Sequence, residues 1–205
     1  MKIKGPKNTR HMGCLSALAH RSGGAFSTAQ ANEAGFSNER LRLLVQAGVL
    51  QRIAHGIYTI PDALPDPMFA MQCHRLGAVY SHETALYLHG LTDRDPVFYS
   101  VTVPSGYNAK YLLSDGLTVY TVKRSLHGEG LATMKTAFGN PVRTYTPERT
   151  LCDCIRSRNK LDVAVVSDAL KRYAQTRGKD LVELMRLAAL FRIEKPLRGY
   201  LEVLL

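Results

Sequence analysis

The chain has 205 residues with 45% hydrophobic and 21% charged side chains, ordinary globular values that exclude wholesale disorder. No apolar run is long enough for a membrane helix, and four cysteines are too few for a disulfide scaffold, so a cytoplasmic setting with reduced thiols is expected. The basic N-terminus lacks the apolar stretch of a secretory signal. Net charge is +10, unevenly spread: +6 up to residue 60, −3 over 61–122 and +7 beyond. A field of that kind suits a polyanionic partner.

A first helix is expected over 11–20, with Met12, Leu15, Leu18 and Ala19 at helical spacing. A second opens at Ser27, with Gln30 at the capping-box distance, and closes at Gly35. Ser37 caps a third over 38–47, and Gly48 stands where a C-terminal glycine belongs. The β-rich run VLQRIAHGIYTI, broken at Ala54-His55-Gly56, predicts two strands and a tight turn.

Helix, short helix, turn, helix and hairpin is the order of a winged helix-turn-helix, whose third helix enters the DNA major groove. Leu41, Leu44 and Val45 form the inward stripe of that helix. Glu39, Arg42, Leu43 and Gln46 then face outward, flanked by Asn38 and Arg40. Leu43 is out of character on that face, although it could touch a thymine methyl. Arg and Gln suit guanine and adenine edges. Gln51, Arg52 and His55 ride on the wing near phosphates. Lys2, Lys4, Lys7 and Arg10 form a basic arm for the backbone or minor groove. A solvated helix face is the plainer explanation of Arg42 or Gln46 taken singly.

Three prolines over 61–67 predict a semi-rigid linker between a head over 1–60 and a body over 68–205. In the body, 69–76 and 81–89 read as helices, although Ser81 is a poor cap. Strands are expected over 97–103 and 117–122, joined by a loop holding Ser105-Gly106-Tyr107, and over 142–145. Thr146-Pro147-Glu148 opens a helix with a hydroxyl cap, a proline in first position and an early acid. Further helices follow over 161–173, 180–191 and 196–204, the first with an apolar stripe of Val163, Val166, Leu170 and Tyr173. The expected fold is α+β: a winged helix, then a mixed α/β domain with a small sheet and several helices.

Enzymatic signals are weak. Cys152 and Cys154 on one helix point about 200° apart and cannot chelate one metal, so they read as structural thiols. His82 and His89 lack the spacing of a zinc protease helix. A restriction-type nuclease would need an acid before Lys123, where Thr121-Val122 stands. A nucleotidyltransferase would need Gly-Ser followed by paired aspartates, and only Asp115 follows Ser105-Gly106. No cofactor, metal site or catalytic residue is expected.

Four segments together resemble the AbiEi antitoxins: FSTAQANEAGFSNERLRLLVQAGVLQRIAHGIYTI at 26–60, YSHETALYLHGL at 80–91, VTVP at 101–104 and VRTYTPERTLCDCIR at 142–156. That family comprises transcriptional repressors of AbiE-type (type IV) toxin–antitoxin and abortive-infection systems. The resemblance implies a winged helix on inverted repeats of double-stranded DNA in its own promoter. It also implies a C-terminal antitoxin domain opposing a nucleotidyltransferase-like toxin, directly or functionally. It puts Asn38, Arg42, Gln46 and Arg52 on the DNA side, and Ser81, His82, Glu83, Glu148, Arg149 and Asp153 in antitoxin-domain motifs. Related heads are fused to nucleases, a branch the missing metal acids argue against. Two other readings stay open at this point: a winged-helix regulator whose body senses a ligand or partner unrelated to a toxin, and a nuclease with a degenerate motif.

Overall fold

The computed structural model describes residues 13–19, 24–61 and 66–204. The chain divides into two compact units. One runs to Leu76 and adds Lys135–Val142; the other comprises Gly77–Met134 and Arg143–Leu205. The first unit therefore extends past the expected boundary at residue 60. The proline-rich stretch also ends differently from the expected linker. Asp66 is buried and caps helix α4 (Pro67–His74), with Pro67 at its first position. Oδ1 of Asp66 accepts from the amides of Met68 and Phe69, and Oδ2 accepts from Thr136 and Asn140 of the same unit. A cap whose other oxygen is satisfied from 70 residues away is invisible to local spacing.

The head follows the expected order with one addition. Helix α1 covers residues 13–19. Strand β1 (Ala25–Ser27), which no periodicity announces in three residues, precedes α2 (Thr28–Glu33) and α3 (Asn38–Gln46). β2 (Gln51–Ala54) and β3 (Ile57–Thr59) form the wing, and the sheet order is β1-β3-β2, all antiparallel. Ser27 and Gln30 close the reciprocal capping box, and Ser37 Oγ accepts from Arg40 N. At the end of α3, Gly48 has φ +68°. Its N–H donates to Val45 O and that of Val49 to Leu44 O, a Schellman stop. Leu15, Phe26, Phe36, Leu41 and Leu50 form the head's core, with Phe26 stacked on Tyr58.

The second unit carries a sheet in the order β6-β5-β4-β8-β7, from β4 (Val79–Tyr80), β5 (Ser100–Pro104), β6 (Thr118–Val122), β7 (Leu131–Lys135) and β8 (Pro141–Tyr145). The turn between β7 and β8 falls in the first unit's segment. Helix α5 (His82–Leu88) follows β4, and Ser81 indeed makes no side-chain cap bond there. The expected strand over 97–103 starts only at Ser100, and Val97 and Phe98 stay exposed. The expected loop holding Ser105-Gly106-Tyr107 contains a helix, α6 (Lys110–Ser114), and so joins β5 and β6 in parallel. A parallel pair needs a crossover, which α6 supplies.

Helix α7 (Pro147–Arg156) has the expected Thr146 cap and is the centre of this unit. Eight consecutive residues, Glu148–Ile155, are buried, because α5, α8 (Val163–Gln175), α9 (Leu181–Leu190) and α10 (Glu194–Leu204) all pack on it. Val163, placed on the α8 stripe by spacing, is exposed at the helix start, and Val165 and Ala169 join the core instead. No helix among the described residues is long and apolar enough to cross a membrane.

Candidate nucleic-acid interface

The head gathers part of its polar side chains in one groove. Leu41 is buried and anchors α3, which turns Asn38, Arg42 and Gln46 outward. These three share a groove of about 630 Å³ with Arg52 and His55 from the wing. Five predicted residues thus meet, although they come from α3, β2 and the turn that follows β2. Glu39 and Gln51 are exposed but lie off the groove. Arg40 is half-buried with its guanidinium 5.6 Å from the Phe36 ring centre, a packing role. Leu43 is 52% exposed and also lies off the groove. Lys2, Lys4, Lys7 and Arg10 lie outside the described residues.

The wing is held from two sides. Arg52 donates from Nε to Ala54 O at 3.2 Å and from Nη2 to His55 Nδ1 at 2.8 Å. A guanidinium only donates, so the acceptor in this contact is His55 Nδ1. A register irregularity between Arg52 and Ala54 lets the strand bend there. Gly56, at φ +71°, makes the turn. Its carbonyl accepts from both N–H and Oγ1 of Thr28, at 2.7 and 3.1 Å. This clamp ties the wing to the start of α2, and Ser27, Thr28, Ala29, Gly56 and Tyr58 also line the groove, as does Val45, which spacing places on the inward stripe of α3. Sequence reasoning missed Thr28 and Ala29. Their position just inside the Ser27 cap was the available signal, but the contact with Gly56 spans 28 residues.

The motifs of the second unit are interior. Ser81, His82, Glu148, Arg149 and Asp153 are buried. Arg149 Nε donates to Asp153 Oδ2 at 3.0 Å, and its Nη1 donates to the carbonyls of Leu126 and Glu129. The guanidinium lies 4.2 and 4.1 Å from the ring centres of Tyr145 and Phe191. Burial pushes the Asp153 carboxyl up, against the pull of Arg149 and Arg156. Tyr173 Oη donates to Glu148 Oε1 at 2.7 Å. His82, at φ +49°, bonds Ser81 Oγ and Ser157 Oγ and stacks on Tyr120 at 3.4 Å. Burial, then the charges of Arg156, Arg149 and Lys160, hold it well below the usual histidine range. Glu83 differs: it is half-buried and lines a separate cavity of about 300 Å³ with Thr92, Arg94 and Phe98. Cys152 and Cys154 are buried thiols, which burial shifts upward, Cys152 to about 12. Among the described residues, no group of three or more His, Cys, Asp or Glu could hold a metal ion.

Residues 15–61 match the family model described as transcriptional regulator, AbiEi antitoxin. The head is similar to the heads of AbiEi regulators. The match covers the helix-turn-helix and the wing, the elements that build the groove. Most of the chain is similar in fold to the RV2827C protein from Mycobacterium tuberculosis, known from a crystal structure. The TM-score is 0.53 at 17% identity, over 91% of this chain and 72% of that one. No curated protein matches the chain. The AbiEi likeness read from the sequence thus stands over the head, and with it an antitoxin-type, DNA-binding regulator.

Proposed function

We propose that this chain represses its own operon by seating α3 in the major groove at inverted repeats of the promoter, and that it serves as the antitoxin to a nucleotidyltransferase-like toxin. The observation that carries the reading is the gathering of Asn38, Arg42, Gln46, Arg52 and His55 in one groove of an AbiEi-like head. Arg42 and Gln46 read base edges; Arg52, His55 and the arm residues Lys2, Lys4, Lys7 and Arg10 contact phosphates. The second unit acts without catalysis, and repression is steric.

The test is a mobility-shift titration of the full chain on the duplex upstream of its own reading frame. Arg42→Ala should weaken that duplex by about 1–3 kcal/mol and leave random DNA nearly unchanged. Equal losses on both would reassign Arg42 to a phosphate. The antitoxin half is tested apart, by co-expression: growth arrest by an adjacent toxin gene should be relieved by this chain, and an unchanged arrest would refute it.

A further inference from the structure

The outer edge of the second unit's sheet plays no part in the functions above. β6 is an end strand, paired only with β5 among the described residues. Thr118 N–H donates to Tyr99 O at 2.9 Å, and Val122 O accepts from Ser105 N at 2.7 Å, so both point toward β5. Backbone polar groups alternate along a strand, so Val119 and Thr121 turn N–H and C=O the other way, to the open edge. Thr121 is exposed and Val119 half-buried.

Two surfaces border that edge. Beside Val119 and Thr121 lies a cavity of about 410 Å³, lined also by Arg156, Ser157, Asn159 and Lys160 and by no carboxylate. Lys160 is exposed and forms no ion pair among the described residues, Arg156 is already paired with Asp153 at 3.2 Å, and Lys123 and Arg124 follow β6, both exposed. At the other end, Thr118 borders the cavity walled by Val97 and Phe98, which are 87% and 64% exposed.

We infer that β6 receives an extended acidic segment of a partner protein as a sixth strand, with backbone bonds to Val119 and Thr121 and carboxylates toward Lys160, Lys123 and Arg124. Strand addition supplies affinity through the main chain and selectivity through flanking side chains. A second copy is a poorer occupant, because β6 against β6 would bring two sets of these cations together. Nucleic acid is poorer too: phosphates only accept, whereas the edge offers acceptors as well as donors. The inference concerns the unit that has no share in the groove, so it does not rest on the DNA reading.

The experiment uses the full chain and a short capped peptide alternating Glu and Val, with a Lys–Val peptide and oligothymidine as comparisons. Amide exchange is followed residue by residue. The acidic peptide should slow exchange at Val119 and Thr121 and leave Tyr120, already paired, unchanged. Lys160→Glu should weaken that peptide about tenfold or more. Thr121→Pro removes an outward N–H only and should abolish the protection; if it fails to fold, Lys160→Glu and the exchange pattern still decide. Equal protection by the Lys–Val peptide or by oligothymidine would overturn the inference. So would protection that rises with chain concentration alone, which would mean a second copy, or no protection at either amide.

Discussion

A guanidinium without exposed surface needs a counter-charge and acceptors close by, and Arg149 has Asp153, two loop carbonyls and two aromatic faces. Arg149→Met should cost about 3–5 kcal/mol in urea unfolding, because Asp153 would be left buried beside Arg156 alone. Arg149→Lys should recover little, since an ammonium cannot span the carboxylate and the loop carbonyls while stacking on rings. A loss under about 1 kcal/mol for Arg149→Met would contradict the role. Titration gives a second check. His82, His89 and His127 are all held below the usual histidine value of 6.5, in each case first by burial. The unfolded chain therefore takes up protons near 6.5 that the folded chain refuses until lower pH. Their contribution is fully present above about 6.5 and declines as pH falls, by up to about 1.4 kcal/mol per pH unit for the fully buried His82 and by less for the more exposed His89 and His127. Urea midpoints at a series of pH values measure the slope, and His82→Asn, which tolerates positive φ, should flatten it. An unchanged slope would show that His82 titrates normally.

At the scale of elements, the tip of the wing is tied to α2 through one carbonyl, that of Gly56. A Cβ on Gly56 would sit 3.1 Å from Thr28 Oγ1, and the residue already has φ +71°. Gly56→Ala should therefore cost about 1–2 kcal/mol by calorimetry and also weaken DNA, because the clamp that positions Arg52 and His55 opens. A variant as stable as the parent would refute the clamp. The same elements show what spacing can reveal. Ser27 with Gln30, Ser37, Gly48 and Thr146-Pro147 were legible because a cap is settled by atoms within four residues. β1 and α6 were not, since three and five residues carry too little pattern.

For the molecule as a whole, the basic surplus of the head should appear in the salt dependence of DNA binding. Affinity is expected to fall linearly on a log–log plot against salt, and Arg52→Ala should lower the slope by about one unit on every duplex. A loss confined to one sequence would make Arg52 a base reader. The amino-acid sequence by itself determined much of the head: its helix-turn-helix order, its wing, its charge and five of the residues now sharing the groove. Each of those rests on contacts between near neighbours or on simple counting. Only the tertiary structure decided that Glu148, Arg149 and Asp153 are interior, that Asp66 is a buried cap and that β6 is left as an open edge. Those outcomes depend on which distant segments come to lie against one another. A charged residue on a helix looks the same in sequence whether solvent or four other helices surround it.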